Sequence, residues 1–148
     1  RQTVIEQHVC PPTLPFFHAW TRRLTPAGAL DLGCGEHPKG RFSLDRERAG
    51  GDLIGDAAAL PIRTASVPAV TAFQVLSYLD HPAQATGILF EVARVLVPGG
   101  VFVMSVGRWQ REQEDWPLLL NVLGFVNIER VKGIFSYTGW RCQRNKEQ

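Results

Sequence analysis

Cysteine is scarce and poorly placed for any cross-link. Cys10, Cys34 and Cys142 are three in number and widely spaced, with no CxxC pair and no ligand-like spacing to the four histidines. A disulfide framework and a metal cluster are therefore not expected, and a reduced, cytoplasmic setting with three unpaired thiols is. Charge of one sign is also lacking. The formal net charge is +2, with no dense Lys/Arg cluster, which argues against a nucleic-acid partner. Long apolar runs are missing as well. The longest uncharged stretch lies between Arg63 and Asp80 and is broken by Pro68, Gln74 and several hydroxyls, so no membrane span is expected. No basic-then-apolar leader pattern opens the chain, and there is no repeat, low-complexity segment or linker. What remains is ordinary. With 45% hydrophobic and 20% charged residues, 148 residues suffice for one domain around one core.

Local pattern supplies the elements. Thr13-Leu14-Pro15 reads as a helix start, the helix carries Phe16, Phe17, Trp20 and Leu24, and Thr25-Pro26-Ala27-Gly28 ends it. Short β-like runs follow at Ala29–Leu32, Arg41–Asp45, Asp52–Gly55 and Ala69–Gln74. From Gln84 to Leu96 the period turns helical, with Leu89, Val92, Ala93 and Leu96 on one face and Glu91 and Arg94 off it. Pro98-Gly99-Gly100 stops that helix, and "VFVMSV" suits a strand buried on both faces. A further helix is predicted over Asp115–Leu123, ended by Gly124. "FVNIERVK" and "FSYTGWRC" alternate around Lys132-Gly133 as an antiparallel hairpin. Strands alternating with helices imply an α/β fold, a Rossmann-like mostly parallel sheet closed by a C-terminal antiparallel hairpin.

The stretch "ALDLGCGEHPKG", residues 29–40, carries the chemistry. Its abrupt change from apolar to flexible admits a tight turn, a reactive cysteine or a ligand cradle. Gly33 and Gly35 stand just past the first strand, where ligands of parallel α/β sheets sit, and glycine there permits positive φ and close backbone approach. Cys34 has no assignable base and is read as small packing. Asp45 ends the next strand-like run, where a carboxylate can bind the two hydroxyls of a ribose. Only fourteen positions (45 − 31) separate it from Asp31, against ~20 in dinucleotide folds. The first crossover is therefore short.

Five motifs in order, "ALDLGCG", "GRFSLD", "GDAAALPI", "AFQVLSYLDH" and "EVARVLVPGGVFVMSV", resemble those of class I S-adenosylmethionine-dependent methyltransferases, in particular the type-11-like group. The resemblance spans roughly Ala29 to Val106. It implies S-adenosyl-L-methionine as cofactor, an N-terminal helical segment over residues 1–28 covering the site, and a cofactor-binding domain over residues 29–148. It places Asp31, Gly33 and Gly35 around the methionine part of the cofactor and Asp45 on the ribose. Asp56 and Ala57 would meet the adenine edge, with Leu60 against the ring. Phe73 and Gln74 would line the sulfonium side. His37 stands where many members have a third glycine. Ser77 and Tyr78 replace a frequent Glu-His pair, so no catalytic base carries over.

The expected reaction is methyl transfer to a small-molecule acceptor by in-line displacement, in which alignment is the enzyme's main task. Should the acceptor need a general base, His37, Tyr78 and His81 are the candidates, from loops at the C-terminal edge of the sheet. No "NPPY"-like stretch follows the fourth strand, and Val106–Phe125 is too short for a large lid. Phe16, Phe17, Trp20, Trp109 and Trp116 are then the aromatics left to cover an acceptor. Two alternatives stay open: a cofactor-binding but idle domain serving a protein partner, and a methyltransferase of RNA or protein whose acceptor site needs a partner subunit. A homodimer is equally open.

Overall fold

Ala29-Leu30-Asp31-Leu32 becomes the first strand because every one of its side chains is enclosed, Asp31 included. The computed structural model describes residues 14–33, 42–45, 53–54, 56–76, 82–107, 115–134 and 137–147. Helix α1 spans Leu14–Leu24. The strands are β1 (Ala29–Leu32), β2 (Phe42–Asp45), β3 (Leu53–Ile54) and β4 (Val67–Phe73). Helix α2 (Pro82–Val95) leads into β5 (Leu96–Gly107), and α3 (Trp116–Val122) into the hairpin β6 (Phe125–Ile134) and β7 (Tyr137–Arg144). They form one seven-stranded sheet in the order β3-β2-β1-β4-β5-β7-β6. Strands β1 to β5 pair in parallel; β7 pairs antiparallel to both β5 and β6. The expected α/β class and closing hairpin are therefore present.

The two faces of the sheet follow from strand alternation. Leu30 and Leu32 of β1, Val70 and Ala72 of β4, and Phe102, Met104 and Val106 of β5 point to one face. There α2 lays down Ala85, Ile88, Leu89, Val92 and Val95, a helical-period stripe, and α3 adds Trp116 and Leu120. Each such enclosed large apolar side chain contributes about 1.5–3 kcal/mol relative to exposure. Cys142 closes this core as a free, buried thiol. On the opposite face Phe73, Val103 and Tyr137 receive Phe17 and Trp20 of α1. The Phe17 and Tyr137 rings lie 4.6 Å apart, and the Trp20 indole donates to the Lys132 carbonyl at 3.0 Å. Among the described residues no helix is long and apolar enough to cross a membrane.

Several boundaries differ from expectation, each for a physical reason. Helix α2 gives up Leu96, which instead pairs with Val67; the ladder resumes at Val101 opposite Ala69, so Val97–Gly100 forms an irregularity inside β5 rather than a loop before it. The hairpin does not turn at Lys132-Gly133, because β6 runs on to Ile134. Gly133 occupies a register shift, where a Cβ would stand 2.3 Å from the Tyr137 carbonyl oxygen. Its glycine serves close strand approach, not a reversal of direction. Asp115 lies outside α3 as its N-cap, accepting from the Leu118 amide, and Leu123 is the C-cap. Trp116 is 1% exposed in the main core, and Phe17 and Trp20 are likewise buried, so these three aromatics pack the sheet and are not free to cover an acceptor. Phe16, by contrast, is exposed, and Trp109 lies outside the described residues.

Candidate functional site

The strand order reverses direction between β1 and β4: from β1 the chain passes outward to β2 and β3, then returns to β4 on the other side. Connections diverge at such a point, leaving a crevice beyond the C-terminal strand ends. Leu32 pairs with Leu44 and with Ala72, so Gly33, Asp45 and Phe73 are the next residues on three adjacent strands. Gly33 has φ +62°, and a Cβ there would stand 2.7 Å from Cγ2 of Val75. The backbone is therefore bare at the β1 exit for two reasons, conformation and contact.

Asp31 sits two residues before Gly33, on the α1 side of the sheet, and is 2% exposed. Thr71, directly opposite on β4, donates its hydroxyl to Asp31 Oδ1 at 3.0 Å. An enclosed carboxylate needs such donors, since burial without them is costly.

Phe73 and Gln74 close the fourth strand, both at 8% exposure. Gln74 adopts φ +62°, which ends the extended backbone and explains why β4 stops at Phe73 rather than at the expected Gln74. Ser105 of β5 holds it there. The Gln74 amide donates to the Ser105 carbonyl at 3.1 Å and to the Ser105 hydroxyl at 3.0 Å. The same hydroxyl donates to the Gln74 side-chain oxygen at 3.4 Å. A buried, left-handed, non-glycine residue at a strand end is the kind of local strain that concentrates at binding sites.

The third part of the site follows β3. The Asp56 side chain accepts from the Ala58 amide at 2.9 Å, and the Ala59 amide donates to the Asp56 carbonyl at 3.0 Å. This is an Asx-type turn, with Asp56 exposed and Ala57 half-buried. Leu60 is 5% exposed and packs in the core beneath α2. Its amide donates to Glu91 Oε1 at 2.8 Å. Glu91 in turn accepts from Arg94, at 2.7 Å between Nε and Oε2. The Arg94 hydrogen bond holds the Glu91 carboxyl below its ordinary range, aided by the Leu60 amide and opposed by burial. The same hydrogen bond from Glu91 raises Arg94.

Sequence-predicted residues Asp31, Gly33, Phe73 and Gln74 gather at one edge of the sheet with the backbone of Asp45, while Asp56, Ala57 and Leu60 form a separate turn after β3. Gly35, His37, Tyr78 and His81, together with Cys34, lie outside the described residues. Sequence reading missed Thr71, Ser105, Glu91 and Arg94. Thr71 and Ser105 carried one available signal, a hydroxyl within an otherwise apolar strand ("AVTAF", "VMSV"). Among the described residues no three of His, Cys, Asp or Glu stand together to hold a metal ion.

Comparison with known proteins follows from this geometry. Residues 36–104 match the sequence profile of the methyltransferase domain family. The mouse protein tRNA (carboxymethyluridine(34)-5-O)-methyltransferase ALKBH8 is 29% identical over an alignment covering 60% of this chain and 16% of that protein. The chain thus spans about a sixth of the length of that curated relative. Among solved structures, an S-adenosylmethionine-dependent methyltransferase from Thermotoga maritima superposes with a TM-score of 0.68 at 15% identity, covering 87% of this chain and 88% of the other. The N-methyltransferase NodS from Bradyrhizobium japonicum, in complex with S-adenosyl-L-homocysteine, gives 0.66 at 17% identity, covering 86% and 85%. At these identities the likeness is one of fold.

Proposed function

Because this chain carries a class I S-adenosylmethionine-dependent methyltransferase domain, we propose that it transfers the cofactor's methyl group to a small-molecule acceptor. The convergence of Asp31, Gly33, Asp45, Phe73 and Gln74 on the crevice at the β1/β4 reversal carries the reading. The residues fit the cofactor chemically. Gly33 offers bare backbone, Asp31 a carboxylate suited to an ammonium, Asp45 an acceptor for a vicinal diol, and Phe73 an apolar wall. S-adenosylmethionine supplies a methyl group on a sulfonium, whose leaving group is a neutral thioether.

The chain's own residues then bind and align. Asp31, held by Thr71, orients the amino group; Asp45 fixes the ribose; Asp56 and the Ala57 backbone meet the adenine edge, with Leu60 behind them. Gln74, locked by Ser105, shapes the floor beside the sulfur. Such alignment lowers a barrier by several kcal/mol, up to ~10. His37, Tyr78 and His81 stay the candidates for an acceptor that must lose a proton.

One observation favours a second acceptor class. The matched mouse protein is named for a tRNA modification, which makes an RNA acceptor with a partner's help the runner-up.

Titration calorimetry with S-adenosyl-L-homocysteine tests the reading. Asp45→Ala should weaken binding by at least ~1.5 kcal/mol, the scale of a charge-assisted hydrogen bond, without unfolding the chain. Unchanged affinity removes Asp45 from the site. Methyl release from labelled cofactor, measured against small-molecule extract and against total tRNA, separates the two acceptor classes.

A further inference from the structure

Arg94 uses every hydrogen-bond donor it has. A guanidinium carries five N–H groups in a fixed plane. Here Nε donates to Glu91 Oε2 at 2.7 Å, and Nη2 to Glu91 Oε1 at 3.1 Å and to the Leu60 carbonyl at 3.1 Å. The remaining group, Nη1, donates to the Ile62 carbonyl at 2.9 Å and to the Thr64 hydroxyl at 3.0 Å. Glu91 Oε1 meanwhile accepts from the Leu60 amide at 2.8 Å. Both residues lie on α2, yet most of these bonds reach a different segment, the connection from Asp56 to Ser66 that precedes β4.

That connection needs holding. Among the described residues its only ladder contact is the isolated bridge between Asp56 and Ala59. Its far end caps α2: the Ala65 amide donates to the Arg94 carbonyl and the Ser66 amide to the Val95 carbonyl, both at 2.8 Å, with Ala65 at φ +53°. Between the Asp56 turn and that cap, Leu60 and Ile62 pack on the core, and the polar bonds to the Leu60, Ile62 and Thr64 positions come from Glu91 and Arg94. An i,i+3 ion pair on a helix surface is ordinarily a small stabiliser. This one is a planar fork that reads the backbone of another segment.

We propose that Glu91 and Arg94 are positioning residues for the cofactor, holding the Asp56–Thr64 connection in the shape that presents Asp56 and Ala57 to the adenine ring. The proposal rests on the cofactor-site reading above. Neither side chain touches the ligand; they act through the loop. Lysine cannot replace Arg94, because an ammonium offers three donors and no plane.

The test is S-adenosyl-L-homocysteine affinity of the full chain, by calorimetry, in a double-mutant cycle. Arg94→Met is expected to weaken binding by about tenfold, on the scale of a lost charge-assisted bond. Its effect should be non-additive with Asp56→Ala, because both act on one contact, and additive with Asp45→Ala at the ribose. Amide exchange of Leu60 should rise in the ligand-free variant. If Arg94→Met does not fold, Arg94→Lys takes its place in the same cycle. The exchanged pair Glu91→Arg/Arg94→Glu keeps an ion pair and loses the loop contacts, so it should bind as poorly as Arg94→Met. Wild-type affinity in Arg94→Met, additivity with Asp56→Ala, or restored binding in the exchanged pair would each overturn the proposal while leaving the cofactor site standing. Absence of binding by the parent protein would instead remove the site reading, and the proposal with it.

Discussion

Thr71 and Asp31 face each other across adjacent parallel strands, joined at 3.0 Å between the hydroxyl and Oδ1, with 0% and 2% exposure. The pair spans the point where the sheet reverses its strand order, so a donor that satisfies a buried carboxylate also fixes its direction.

Thr71→Val keeps the shape and deletes the donor. It should destabilise the apo protein by about 1–3 kcal/mol in urea unfolding, the cost of leaving one side of a buried polar group unmade, while Thr71→Ser should recover most of the loss. A valine variant as stable as the parent would show that the carboxylate is satisfied without Thr71.

Gln74 offers a test of strain. At φ +62° a β-branched side chain is strongly disfavoured, so Gln74→Val should cost at least ~1–2 kcal/mol and Gln74→Asn clearly less. Ser105→Ala should loosen the same corner by about 1 kcal/mol, through the hydroxyl that accepts from the Gln74 amide at 3.0 Å. Equal stability of the valine and asparagine variants in thermal unfolding would place the backbone elsewhere.

Glu91 titrates below its ordinary value of 4.5, because Arg94 and the Leu60 amide favour its charged form. The sign follows from linkage. A carboxyl whose folded pKa is depressed stabilises the fold fully above the unfolded pKa, and that contribution is lost as pH falls through the lower folded value. The thermal midpoint of the parent should therefore fall more steeply below about pH 4.5 than that of Glu91→Gln. Parallel acid limbs for the two proteins would contradict the assignment.

Cys142 is enclosed in the core and its thiol is pushed up to about 12 by burial. Thiolate is the reactive form, so Cys142 should resist alkylation at pH 8 in the native protein and react only on unfolding, read by mass-resolved peptides. Labelling at a rate typical of a free thiol would show that the core opens.

Much of the frame was legible from local pattern. Ala29–Leu32 ended as read because an apolar run met a glycine, and α2 showed its stripe through Leu89 and Val92 because a helix repeats within a few residues. Leu96 was lost to the helix because only its partner Val67 could claim it for a strand. Gly133 looked like a turn because glycine for close approach and glycine for reversal are the same letter. The site divided along the same line. Asp31, Gly33 and Gln74 announce themselves at strand ends. Thr71 lies forty positions from the Asp31 it serves, and Ser105 thirty-one from Gln74, so their roles exist only after the strands pair. Glu91 and Arg94 showed in the sequence only as residues off the apolar face of α2, for the same reason.

The placement of β7 between β5 and β6 has a consequence for how the protein is made. During synthesis β1 to β5 emerge first and can assemble on each other, yet among the described strands β6, which follows, pairs only with β7. Phe125–Ile134 therefore leaves the ribosome with no strand to pair with until Tyr137–Arg144 arrives and the hairpin docks as a unit on β5. Helix α1 waits longest of all. It is synthesised first among the described elements, but the Trp20 indole bonds a carbonyl 112 positions later, and Tyr137 arrives later still. The aromatic face that Phe17 and Trp20 share with Tyr137 stays incomplete until the closing hairpin has emerged, which marks that interval, and not the finished fold, as the stage most open to chaperones, proteases and misassembly.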